Sequence, residues 1–276
     1  MSATLSTISR PRRWRARSPA ASLTIGLCLT GAVVFCAVFA PMLTQADPLA
    51  LSADILAPPA YAHPMGTDDL GRDVFARVLY GGRVSLMIGL FSGALSVIFG
   101  VVIGMAAGYF AGTLDDVLMR ATEVFQVMPK LLAAVVVVAL LGSSLSNEVL
   151  VIGLLSWPAT ARVIRARVQT LRGQEFIAAA RMGGASHLRI LWRNMLPNVA
   201  AFVLVSTTLQ IASAIVSESF LSFLGLGDPD HPSWGLLLQQ GQLFLQQAPW
   251  MTILPGTALA ATVLGITLLG DGLDRR

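Results

Sequence analysis

Val84–Leu114, VSLMIGLFSGALSVIFGVVIGMAAGYFAGTL, runs for 31 residues without one Asp, Glu, Lys or Arg. A hydrocarbon layer of about 30 Å is crossed by roughly 20 helical residues, so this stretch is long enough to span a membrane. Its neighbours repeat the pattern. Pro19–Ala46 is charge-free for 28 residues, Leu131–Asn147 for 17, Val149–Ala161 for 13, Asn194–Ser217 for 24 and His231–Gly270 for 40. The two short runs reach spanning length if Lys130 snorkels to the headgroups and if Glu148 and Arg162 lie at opposite interfaces. The longest run is interrupted by Pro232, Gly235, Gly241 and Pro249. It divides into an external loop with a short amphipathic piece and a span from about Trp250 to Gly270. The reading is an all-α polytopic membrane protein with six transmembrane helices.

Composition agrees with that reading. Hydrophobic residues make up 55% of the 276 and charged ones 12%, about half the ~25% charged fraction of a soluble domain. The mean hydropathy is +0.71. Disordered, collagenous and disulfide-stapled classes are excluded together; Cys28 and Cys36 would lie about 12 Å apart on a helix, too far to bridge. The net charge of +4 has a topological cause rather than a nucleic-acid partner. Arg10, Arg12, Arg13, Arg15 and Arg17 precede the first span and place the N-terminus in the cytoplasm. Alternating from there, Arg120, Lys130, the seven arginines from Arg162 to Arg193, and Arg275 and Arg276 fall on the same side, so 16 of 19 basic residues are cytoplasmic. Only Arg72, Arg77 and Arg83 are outside. A basic start before an apolar run also describes a cleaved signal peptide, but the run is about 20 residues where 7–15 is usual, and Thr44-Gln45-Ala46 is a weak cleavage site.

The chain holds no machinery for hydrolysing ATP. A phosphate-cradling G-x-x-x-x-G-K-[ST] loop needs its lysine, and the one lysine, Lys130, follows Met128-Pro129. No G-x-S-x-G, H-E-x-x-H or C-x-x-C pattern occurs, which makes an intramembrane enzyme a weak rival. The expectation is a protein that is not an enzyme and that binds no cofactor of its own.

The loop between spans four and five carries the most information: Gln174-Glu175-Phe176-Ile177-Ala178-Ala179-Ala180-Arg181-Met182-Gly183-Gly184-Ala185-Ser186, continuing to Pro197. Glu175 to Met182 is built of good helix formers. The Gly183-Gly184 pair can take the φ > 0 turn that ends a helix, and Ser186 suits the N-cap of a second short helix stopped before Pro197. Ala178, Ala179 and Gly184 make a small-residue face that another protein can approach closely. A solvated linker would be polar and featureless; three alanines, two glycines and an aromatic in a basic loop favour a docking surface.

This loop resembles the E-A-A-x-x-x-G motif of the membrane subunits of bacterial ATP-binding-cassette importers. Ala179, Ala180 and Gly184 match; Ala178 stands where the motif has Glu, with Glu175 one turn earlier as a stand-in. Two further stretches are similar to one branch, the dipeptide, oligopeptide and nickel permeases, and to the second of their two membrane subunits. His63-Pro64-Met65-Gly66-Thr67-Asp68-Asp69-Leu70-Gly71-Arg72-Asp73 resembles H-P-x-G-T-D-x-x-G-R-D, and Ser222–Gly227 with Pro232–Gly235 resemble S-F-L-G-L-G and P-S-W-G. The resemblance implies a type I importer permease (MetI-like) fold with a cytoplasmic coupling helix. It divides the chain into a basic tail 1–19, a first transmembrane helix 20–43, an external loop 44–83 and a five-helix core 84–273 that includes the coupling loop 173–197. It implies a second homologous permease subunit as heterodimer partner, two ATPase subunits carrying ATP and Mg, an extracytoplasmic substrate-binding protein, the inner membrane as location, and both termini cytoplasmic. Short peptides are the first expectation for cargo, nickel or a metal chelate the second, glutathione-like peptides the third. The rival of another class is a stand-alone secondary carrier or channel, which would need intramembrane charge networks or inverted repeats.

Three residue groups bear on mechanism. His63, Asp68, Asp69 and Asp73 have the chemistry to converge on a divalent cation; the alternative, favoured by the resemblance, is a fold-organising turn whose aspartates cap helix N-termini and pair with Arg72 and Arg77. Glu218 near the outer end of span five, with Gln210 two turns before it, is a pathway or packing candidate, since an intramembrane carboxylate is functional by default. Glu123 reads as an interfacial anchor, and Ser206, Thr207 and Thr208 are pathway candidates.

Overall fold

A computed structural model describes residues 19–274, so the basic tail and the last two arginines lie outside the described residues. Eleven α-helices are present among them, joined by a π-helical and a 3-10 turn. In order they are α1 (Pro19–Val38), α2 (Ala40–Leu43), α3 (Val74–Phe110), α4 (Gly112–Val127), α5 (Lys130–Leu141), α6 (Leu145–Arg172), α7 (Glu175–Met182), α8 (His187–Arg189), α9 (Leu196–Phe223), α10 (Trp234–Gly241) and α11 (Trp250–Asp274). Five helical stretches are long and apolar enough to cross a membrane, or six if the bent pair α4–α5 counts as one span. Large apolar side chains stay exposed along them, Leu27, Phe35, Phe91, Ile98, Val102 and Leu140 among them, which is a lipid-facing surface rather than a water-facing one.

Helix α3 is the axis of the bundle. Lipid tails are as apolar as leucine, so membrane helices associate by close packing over small residues. On one side of α3, Gly89 and Gly93 lie against Ile215 and Ile211 of α9; on the other, Gly100, Gly104 and Gly108 lie against Thr160, Ala161 and Val168 of α6. A Cβ at Gly104 would stand 2.5 Å from the Ala161 carbonyl oxygen. Helix α1 docks on α11 in the same way, with Gly26 beside Leu269 and Gly265 beside Thr30.

The structure departs from counting charge-free runs at four places. First, the loop before α3 ends at Asp73 and not at residue 83: α3 starts at Val74. Asp73 caps it by accepting from the Ala76 N–H at 2.8 Å, Arg77 is paired with the buried Asp68, and Arg83 donates to the Ala37 and Val38 carbonyls, both at 2.6 Å. Second, the third span is broken. Helices α4 and α5 meet at 83°, where Pro129 cannot continue an α-helix from Val127. Third, Glu148 does not reach outward to solvent; it is fully buried in the first turn of α6, and that helix runs on past Arg162 to Arg172. Fourth, Pro197 does not stop the second helix of the loop. The chain passes through a π-helical turn, Ile190–Met195, and Pro197 falls in the first turn of α9, where its missing N–H is no loss.

Candidate functional site

The loop between α6 and α9 folds as helix, turn, helix. α7 occupies Glu175–Met182 and closes in a Schellman arrangement: the Ala185 N–H donates to the Ala180 carbonyl at 3.1 Å and the Gly184 N–H to the Arg181 carbonyl at 3.0 Å. Gly184 alone takes the left-handed conformation, φ +74°, while Gly183 is at −74°, so one glycine of the pair makes the turn that any side chain would strain. Ser186 then caps α8, accepting from the Arg189 N–H at 3.3 Å.

Ile177 anchors α7 to the bundle: it is fully buried in one cluster with Met105, Tyr109, Ile164, Val168, Ile190 and Met195, which brings together the C-terminal parts of α3 and α6 and the approach to α9. Ala180 and Ala185 lean on the same cluster. His187 Nδ1 lies 2.8 Å from the Tyr109 hydroxyl, and the Arg181 guanidinium stands 5.2 Å over the Tyr109 ring. What remains outward is Glu175, Phe176, Ala178, Ala179, Met182, Gly183 and Gly184. Met182 is 84% exposed and Leu188 65%, an apolar patch rimmed by arginines and built on an immobilised helix. Beside it, Arg165 of α6 forks onto Asp115 of α4, Nε to Oδ1 at 2.5 Å and Nη2 to Oδ2 at 2.6 Å, with Gln169 at 3.2 Å. Tyr109–His187 and Asp115–Arg165 join residues 78 and 50 positions apart; no local sequence signal marks them.

On the opposite face, the residues from His63 to Asp73 form a turn in which every acid but Asp69 has a donor. Asp68 Oδ1 accepts from the Leu70 and Arg72 N–H groups, both at 2.9 Å, and Oδ2 from Arg72 Nε at 2.7 Å and from Arg77. Asp73 Oδ2 lies 2.9 Å from His63 Nδ1. Gly66 and Gly71 take φ +75° and +74°, and the Trp250 indole donates to the Thr67 carbonyl at 3.1 Å, which ties the turn to α11. Asp69 lies 4.0 Å from Arg72. Asp68 and Asp73 therefore organise the turn through hydrogen bonds, and no group of metal-ligating side chains forms among the described residues.

Inside the bundle, Glu218 is fully buried in a cage of hydroxyls. Ser222 donates at 2.8 Å, Ser85 and Ser219 at 3.2 Å. Ser85 also accepts from the Trp234 N–H at 3.2 Å, so the acid joins α3, α9 and α10. Gln210 Nε2 reaches the Ser156 carbonyl and the Thr160 hydroxyl, both at 3.1 Å, and Lys130 Nζ lies 3.3 Å from the Ser213 hydroxyl. Thr207 and Thr208 bond back to their own helix, and Glu123 is exposed.

Residues 100–276 match the family described as binding-protein-dependent transport system inner membrane component. The dipeptide transport system permease protein DppC of Alkalihalophilus pseudofirmus is 38% identical over 251 residues, 90% of this chain and 83% of that protein. A putative peptide transport system permease protein of Brucella suis is 42% identical over 254 residues, 91% of this chain and 86% of its own. Among solved structures, the inward-facing MetNI methionine ABC transporter covers 70% of this chain and 92% of its own at a TM-score of 0.56 and 16% identity, a likeness of fold.

Proposed function

The chain belongs to the inner-membrane components of binding-protein-dependent transport systems, and from that premise we propose that it forms half of the pore of an importer of short peptides. It is a multi-pass inner-membrane permease subunit of an ATP-binding-cassette transporter and not an enzyme. Its cargo is taken to be di- and oligopeptides, the substrates in the names of relatives 34–42% identical over most of the chain. The other half of the pore is a second, homologous permease. Two ATPase subunits holding ATP and Mg dock from the cytoplasm, and a binding protein delivers peptide from outside. Both termini face the cytoplasm.

The observation that carries this reading is the docking loop: a helix pinned by Ile177, ended by Gly184, and presenting small and apolar residues outward. ATP binding closes the two ATPases and moves the loop with them. Because the loop is locked to α3 and α6 through Tyr109 and Ile177, the helices move with it and the pore turns outward; hydrolysis resets it. Parallel uptake of labelled dipeptide and labelled nickel, in cells with and without the gene, tests the reading. Loss of dipeptide uptake alone is expected. Loss of nickel uptake alone would replace peptide by metal as the cargo.

A further inference from the structure

Half-way along the bundle a cavity of about 240 Å³ opens between the broken span and helices α6 and α9. Its height is set by its walls: Ser156 and Pro158 stand at the middle of α6, and Gln210 and Ser213 near the middle of α9. The only lysine of the chain enters it from the break between α4 and α5. A lysine that merely anchored a helix would reach along that helix to the headgroups. Lys130 instead points across to α9, its Nζ 3.3 Å from the Ser213 hydroxyl. That single contact leaves an ammonium, which has three donors, with capacity for a further acceptor. Among the described residues no carboxylate lies within ion-pairing distance of it.

The rest of the lining fits one end of a peptide. Both protons of the Gln210 amide are committed to Ser156 and Thr160, so its oxygen is left as an acceptor. Gln126 lines the same space, and Met128 and Leu155 supply a pliant apolar wall. A complete small-molecule pocket is roughly 300–1,000 Å³, and this one is smaller, as expected of a half-site closed by a second subunit. Breaks in the helices of a membrane bundle are tolerated where they line such a cavity, and an unpaired cation among transmembrane helices marks a pathway.

We propose that this cavity is a transit site in which the Lys130 ammonium receives the C-terminal carboxylate of the travelling peptide while Gln210 accepts from its backbone N–H. The proposal rests on the peptide-importer reading. The test uses cells carrying the complete transporter and the purified complex, with labelled dialanine as probe. Lys130→Met is expected to lower the initial uptake rate at least tenfold at unchanged membrane abundance, with binding-protein-stimulated ATP hydrolysis retained because the docking loop is untouched. Lys130→Arg, which keeps the charge that Lys130→Met removes, is expected to restore most of the uptake. Wild-type uptake in Lys130→Met overturns the transit site alone. Loss of stimulated hydrolysis together with uptake, or failure of Lys130→Arg to restore uptake, makes the lysine structural and also overturns it. If the unaltered transporter carries no dialanine, the peptide reading itself falls, and the transit site with it.

Discussion

At Gly184 the chain's own geometry and its partner's demands separate. The residue holds φ +74°, yet a Cβ built on it would meet no atom within 4 Å. An L-residue in that conformation costs about 1–2 kcal/mol, a strain the loop survives while Ile177 stays buried. Gly184→Leu is therefore expected to leave the subunit inserted at near-normal abundance but to reduce co-purification of the ATPases at least tenfold, because the open space over this turn is where a groove would close. Normal coupled transport in that variant would dismiss the loop as a docking element. This residue was legible in the sequence, since Gly-Gly after a run of helix formers and before Ser186 is a local signal. Its neighbour Gly183 was not separable from it, because the two differ only in which takes positive φ.

At the level of the helix, the interface between α3 and α6 depends on an absence of side chains. Gly104 faces backbone, the Ala161 carbonyl at 2.5 Å and the Arg165 amide at 3.1 Å from an added Cβ, and backbone inside a helix cannot yield as a side chain can. Overpacking costs about 1–3 kcal/mol when neighbours relax. Gly104→Leu is expected to exceed that and to abolish monodisperse protein on size-exclusion chromatography. Gly31→Leu on α1, with nothing within 4 Å, is expected to match wild type and serves as the control. Equal behaviour of the two would mean that α3 and α6 are not in close contact. Five of the spans were readable from charge-free runs, whereas their ends were not, and the run from Leu131 to Asn147 folds as the 12-residue α5, which reaches spanning length only together with the charged α4. The helix beginning at Val74 depends on Asp68 neutralising Arg77, and the break at Met128-Pro129 depends on an angle that an apolar run does not encode. The continuation through Pro197 depends on a π-helical turn, which sequence periodicity does not reveal.

For the whole molecule the two polar faces should be separable by access. Tyr61 in the loop before α3 is fully exposed and Met182 is 84% exposed at the end of α7. In a variant lacking Cys28 and Cys36, Tyr61→Cys is expected to react with a membrane-impermeant maleimide added to intact spheroplasts, and Met182→Cys only after lysis. The reverse pattern would invert the topology. The two faces are not independent, however. Helix α3 runs 37 residues, about 55 Å at 1.5 Å per residue, from its cap at Asp73 to the tyrosine that holds His187. It contains no proline and bears on α6 through its glycines. It is one unbroken rod held along its length, with the turn of Asp68 at its first end and the loop of His187 at its last. A rigid rod cannot tilt at one end alone, so the angle at which that loop is held is also the angle at which the turn is presented.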